Sequence, residues 1–69
     1  MTTLKINGEP REFPDGLPKT LSDLLDLLNI NQATVVAEID EQIIKRTEFS
    51  ETPLASGQHI ELVRFVGGG

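Results

Sequence analysis

One stretch of this sequence ends in a group with chemistry to offer: Phe65-Val66-Gly67-Gly68-Gly69, closed by an α-carboxylate. A β-type run, Ile60-Glu61-Leu62-Val63-Arg64-Phe65-Val66, gives way there to three glycines. Glycine has no Cβ, so such a tail is slim and flexible and leaves its carboxyl group uncrowded. That suits a carboxylate threaded into another protein's active site. Taken alone, the tail also fits a passive, frayed terminus, because chain ends are commonly disordered and tolerant of change.

The other chemistry-bearing residues do not assemble into a site. His59 is the only histidine, the chain has no cysteine, and no G-x-S-x-G serine occurs. A lone histidine between Gln58 and Ile60 reads as an exposed strand residue. Asp40, Glu41, Glu48 and Glu51 match neither an EF-hand loop nor a metal-ligand spacing, so they read as a solvated face. Gly8, Gly16 and Gly57 are separate turn glycines rather than a phosphate-cradling loop. The expectation is no catalytic residue, no metal and no bound cofactor: a protein acted upon by enzymes rather than an enzyme.

The carboxylate of Gly69 is ionised at neutral pH. It is a poor electrophile, because attack must place negative charge on a group that is already anionic. Forming a bond there requires an activating partner, such as one that uses ATP to make a mixed anhydride. Ordering three tail residues takes about 1–2 kcal/mol of backbone entropy each, so about 3–6 kcal/mol together. A partner must recover that from a second, structured contact. Val63 and Phe65 are the candidates, because they share the face of the last strand opposite Ile60 and Leu62, the expected core pair. Gly67 and Gly68 then form the segment that enters the partner's channel.

The elements that must position this tail follow from local pattern. Thr2-Thr3-Leu4-Lys5-Ile6 alternates polar and apolar, as a half-buried strand does. Asn7-Gly8 is a type I′ hairpin signal, and Glu9 to Phe13 reads as the returning strand. Pro10 removes a backbone donor, which argues for a sheet edge or an irregular start to that strand. Pro14-Asp15-Gly16 and Pro18 mark a loop. Thr20 is an N-cap, with Asp23 completing a short capping box and Asp23 and Asp26 placed toward the helix N-terminus. Leu21, Leu24, Leu25 and Leu28 form one apolar stripe, a core face, and Asn29 ends the helix as a left-handed residue. Val35–Ile39 and Gln42–Lys45 read as strands joined tightly through Asp40-Glu41. Arg46–Phe49 reads as a turn or single helical turn with Phe49 inward. Pro53 and Ser56-Gly57 lead to the last strand. A hairpin, a helix and further strands make an α+β domain with the helix on one sheet face, in which the first and last strands can pair centrally.

With 69 residues the chain forms one domain, expected over 1–66 with 67–69 as the flexible tail. A domain of this size buries only about 60% of its unfolded surface, leaving little material for a deep pocket. Eleven acidic against six basic residues give a net charge of −5, so the basic stripe of a nucleic-acid binder is absent. The acidic field suits partners with positive surfaces. No run is apolar and long enough for a signal peptide or a membrane span, so the cytoplasm is the expected location.

The ordered set Ile6-Asn7-Gly8, the helix from Thr20, Val36-Ala37-Glu38, Ile43-Ile44-Lys45-Arg46 with Phe49, Leu54 to Gly57, Ile60-Glu61-Leu62-Val63 and the Gly-Gly terminus resembles the ThiS sulfur carriers of the thiamine pathway. The resemblance spans essentially the whole chain. Lys45, where many relatives carry proline, and Gln58, where aspartate is common, are departures remote from the tail. The resemblance implies a ubiquitin-like β-grasp fold, a mixed sheet of four to five strands with one main helix packed on one face. It also implies that a ubiquitin-activating-type enzyme adenylates Gly69 with ATP. Sulfur from cysteine, delivered by a persulfide donor such as a cysteine desulfurase, then leaves a thiocarboxylate that thiazole synthase consumes. Three other readings stay open on residues alone: a molybdopterin-synthase-type carrier, a ubiquitin-like protein modifier, and a plain interaction domain with a passive tail.

Overall fold

The fold begins at Asn7-Gly8, whose φ angles of 51° and 82° are those of a type I′ turn. The turn joins β1 (Thr3–Ile6) to β2 (Glu9–Glu12) in an antiparallel pair with Ile6 opposite Glu9. The computed structural model describes residues 2–64 of the chain. Strand β2 lies at one edge of a sheet in which its only neighbour is β1. Lys5, opposite Pro10, directs its N–H away from β2 to the Gln58 carbonyl at 3.0 Å. The same alternation turns the nitrogen of Pro10 to the free edge, where its missing proton removes no ladder bond and hinders pairing with another chain.

Thr20 caps α1 (Leu21–Leu27) by accepting the Asp23 N–H at 3.2 Å. The helix ends because Asn29 turns left-handed at φ 60°. Ile30 N–H then reaches back to the Leu25 carbonyl at 2.9 Å, and Asn29 N–H to that of Asp26 at 3.1 Å. These two bonds are a Schellman motif, which satisfies carbonyls that the helix end would otherwise orphan. The short span of the helix corrects one expectation, the placing of both aspartates toward its N-terminus. Asp23 lies in the first turn, but Asp26 is the last residue but one of the helix, beside the negative end of its dipole rather than the positive one. Leu21, Leu24 and Leu25 are fully buried, and Leu28 packs against the same core.

A short 3-10 helix (Gln32–Thr34) leads into β3 (Val35–Ile39), which a second tight turn joins to β4 (Gln42–Ile44). This turn also has positive φ at both central residues, 49° at Asp40 and 73° at Glu41. Glu41 has a Cβ where glycine is favoured, a conformation that disfavours a side chain by about 1 kcal/mol. Glu41→Gly is therefore expected to raise the urea unfolding midpoint, with a gain in unfolding free energy of at most about 1 kcal/mol after the added freedom of the unfolded glycine is counted. A lowered midpoint would show that the Glu41 side chain stabilises the turn.

A second 3-10 helix, Arg46–Glu51, points Phe49 inward, and the chain returns through Pro53 and Gly57 to β5 (His59–Arg64). The strand order is β2-β1-β5-β3-β4, with β1 and β5 parallel at the centre and the other pairs antiparallel. Leu4, Val35, Ala37, Ile39, Ile60 and Leu62 on one sheet face meet Leu21, Leu24 and Leu25 of the helix, with Phe13 and Phe49 closing the ends. The five-stranded mixed sheet carrying one main helix is the β-grasp arrangement.

Candidate functional site

The helix covers one face of the sheet, and the register defines what the other face presents. Val63 stands opposite Val36, Glu61 opposite Glu38, and Glu38 opposite Ile43, so these five residues share the uncovered face. Val63 is 59% exposed and Ile43 70%, with Val36 half-buried between the strands. Apolar side chains thus lie on either side of two carboxylates that face each other across β3 and β5. Like charges directly opposite each other disfavour a sheet slightly. A cationic group from outside would relieve that repulsion, so the patch is matched to an apolar surface carrying a positive charge.

Val63 is one of the five residues expected to meet a partner, and it lies on the last strand, one residue before its end. Phe65, Gly67, Gly68 and Gly69, the other four, lie outside the described residues. Val36 and Ile43 were not singled out from sequence. The signal was present: with Val35, Ala37 and Ile39 buried, strand alternation sends Val36 outward.

Asn7 contributes a feature that no local pattern announces. Its N–H donates to the Ile60 carbonyl at 2.8 Å, and its side-chain Oδ1 accepts the Leu62 N–H at 2.7 Å. Beside it, Ile6, Asn7, Leu28, Ile30, Leu62 and Arg64 line a shallow groove of about 300 Å³.

His59 is exposed, as expected, and its role is in the backbone. Its N–H donates to Asp40 Oδ1 at 2.9 Å, while the Asp40 N–H donates to the His59 carbonyl at 2.8 Å. The two bonds tie the β3–β4 turn to the start of β5. Asp40, Glu41, Glu48 and Glu51 are all exposed, and among the described residues no group of three potential ligands could hold a metal ion. No side-chain nitrogen or oxygen among the described residues is buried without a partner, so none waits for a ligand. No helix among the described residues is long and apolar enough to cross a membrane.

Comparison with known proteins agrees with this geometry. The sequence model of the ThiS family matches residues 4–69. The sulfur carrier protein ThiS of Bacillus subtilis (strain 168) is 36% identical over 66 residues, which cover 96% of this chain and 98% of that protein. A thiazole synthase of Paramagnetospirillum magneticum is 32% identical over 66 residues, and there the chain spans only 20% of the relative's length. The crystal structure of the thiamine biosynthesis protein ThiS from Geobacter metallireducens superposes with a TM-score of 0.83 at 29% identity, covering 99% of this chain and all of that one. A β-grasp domain without an internal reaction centre among its described residues, matched along its length by these proteins, belongs to the ThiS family, the small sulfur carriers of thiamine biosynthesis.

Proposed function

We propose that the reactive group of this carrier is the α-carboxylate of Gly69 and that partner enzymes perform every step on it. The carboxylate attacks the α-phosphorus of ATP in an adenylating enzyme of the ubiquitin-activating type, and pyrophosphate leaves. A persulfide sulfur, drawn from cysteine by a donor such as a cysteine desulfurase, attacks the acyl carbon and expels AMP. A thiol then cleaves the sulfur–sulfur bond and leaves the thiocarboxylate, which thiazole synthase takes as its sulfur source. ATP is a substrate of the partner and is not held by this chain. The reading places the protein in the cytoplasm, where ATP and cysteine are supplied.

The observation that carries this reading is the family match running to residue 69, which includes the glycine tail. The match to one fifth of a thiazole synthase fits a carrier that serves that enzyme. The test is to incubate the protein with the adenylating enzyme, ATP and a sulfur source and to weigh it intact. The expected result is a mass gain equal to the exchange of one oxygen for one sulfur, placed on Gly69 by fragmentation. An unchanged mass with an enzyme that loads a known carrier would overturn the reading.

The uncovered sheet face supplies the second contact. Val63→Asp removes apolar area from the patch and puts in its place a charge that docking must strip of water. Its expected effect is a ten- to hundredfold rise in KM for the carrier at the adenylating enzyme, the scale of losing an interface anchor worth about 1–3 kcal/mol. Because Val63 is 59% exposed, the thermal midpoint should change little. A KM equal to that of the unaltered protein would remove Val63 from the docking surface.

A further inference from the structure

Strand β5 is held unequally on its two flanks. Its pairing with β3 continues to Val35 opposite Arg64, whereas its pairing with β1 stops at Ile6 opposite Ile60. From Glu61 to Arg64, no strand among the described residues lies on the flank away from β3, which borders the groove formed by Ile6, Leu28 and Ile30. One hydrogen bond bridges that flank among the described residues, from the Leu62 N–H to Asn7 Oδ1.

The arrangement has a definite logic. In a parallel ladder one residue donates its N–H to one carbonyl of the neighbouring strand, and its own carbonyl accepts the N–H two residues further on. Lys5 donates in this way to Gln58, and Asn7 to Ile60. At Asn7, however, the backbone has already entered the hairpin turn at φ 51°. The side-chain carbonyl stands in for the main-chain one and extends the ladder by one more bond. Asparagine combines tolerance of positive φ with a side-chain acceptor of suitable length; glycine offers the first property without the second.

We propose that the Asn7 side-chain amide is a positioning group for the sulfur-transfer reactions. By fixing Leu62, it sets the direction of β5 at Arg64, the last described residue, and so the base from which the tail is offered to a partner's active site. This rests on the carboxylate reading above. It goes further by giving a part in the reaction to a residue of the first hairpin, 55 positions away in sequence from the strand it holds. Asn7 is a positioning residue, since it touches no reacting atom.

Two substitutions separate the side-chain acceptor from the turn. Asn7→Gly keeps a residue at ease with positive φ and removes the acceptor; Asn7→Asp keeps both the conformation and a side-chain oxygen. Two measurements are made on each: residual dipolar couplings with amide exchange at Leu62, Val63 and Arg64 in the isolated protein, and kcat and KM for the carrier in adenylation. For Asn7→Gly the expected results are faster exchange at Leu62, altered couplings at Val63 and Arg64, and a kcat lowered about three- to tenfold, the rate equivalent of one hydrogen bond. KM should change less than kcat, because every side chain of the docking face, Val63 included, is retained. Asn7→Asp should restore all of these values. Unchanged couplings in Asn7→Gly, or an unchanged kcat with altered couplings, would overturn the proposal, as would an aspartate variant that behaves like the glycine one. If the unaltered protein gains no sulfur, the carboxylate reading fails separately, and Asn7 then has no reaction to serve whatever its couplings show.

Discussion

Removal of Gly68 and Gly69 is expected to abolish sulfur loading while leaving the unfolding midpoint unchanged. The first half follows from reach. In the proposed mechanism an adenylating site buried in a partner receives a chain without side chains, and shortening it by two residues withdraws the carboxylate by about 7 Å of extended backbone. In-line attack requires reacting atoms about 3–3.5 Å apart, so such a displacement prevents the reaction rather than slowing it. The second half follows from where the core lies. Among the described residues the last core side chain is Leu62, held between Ala37 and the helix layer. Intact-mass analysis after exposure to enzyme, ATP and sulfur source should show no gain for the shortened chain. A chain that still gains sulfur would place the attachment elsewhere and sink the Gly69 assignment. This result also separates the carrier from a plain interaction domain, whose binding would be indifferent to the two glycines.

The largest effect on stability is expected at Phe49. It is 1% exposed and has the greatest volume among the fully buried side chains, yet it comes from a 3-10 helix rather than from the sheet or α1. The segment it belongs to packs against α1 and is fastened there through the Leu21 N–H, which donates to Thr52 O at 2.9 Å. Truncating a buried phenylalanine to alanine costs about 3–5 kcal/mol. A domain of 69 residues has about 3–10 kcal/mol of stability to lose, at about 0.05–0.15 kcal/mol per residue. Phe49→Ala should therefore bring the protein to the edge of unfolding at room temperature, seen as loss of the cooperative urea transition or a midpoint near zero denaturant. Phe49→Leu, which keeps most of the volume, should retain a cooperative transition at lower urea. A Phe49→Ala midpoint close to that of the unaltered protein would mean that α1 closes over the cavity.

Much of this architecture was legible in the sequence because its signals are local. Asn7-Gly8 and Asn29 require positive φ, Thr20 caps a helix, and the leucine spacing defines one face; each was read within a few residues and found in place. Pro10 fitted an edge strand or an irregular start, and the sheet order selects the edge. What escaped depended on partners distant in sequence. The exception is Asp26, a local matter: between the Thr20 cap and the Asn29 stop the helix is only seven residues long, which leaves Asp26 at the wrong end for the dipole argument applied to it. Ile43 and Val36 joined Val63 on one face only through the pairing of β4 with β3 and of β3 with β5. The side chain of Asn7 could be read as a turn former, but not as the continuation of a ladder, because its acceptor role exists only once Leu62 is beside it. The reaction centre stands apart: Gly69 is proposed from the poverty of every other candidate, from the glycine tail and from the family resemblance, and only Val63 of the residues assigned to the site falls among those described.

The central place of β5 has a consequence for how the protein comes into being. Each tight turn can close its own hairpin early, β1 with β2 and β3 with β4, because those contacts are local. Neither hairpin borders the other in the finished sheet; β5 lies between them and pairs with both. The slowest contacts to form are those that span the most chain, and here they are made by the strand that leads to the glycines. Folding and assembly of the β3–β5 face are thus one event. If partners dock there as proposed, a copy that has not inserted β5 offers them no assembled face, and docking selects finished molecules without a separate inspection step.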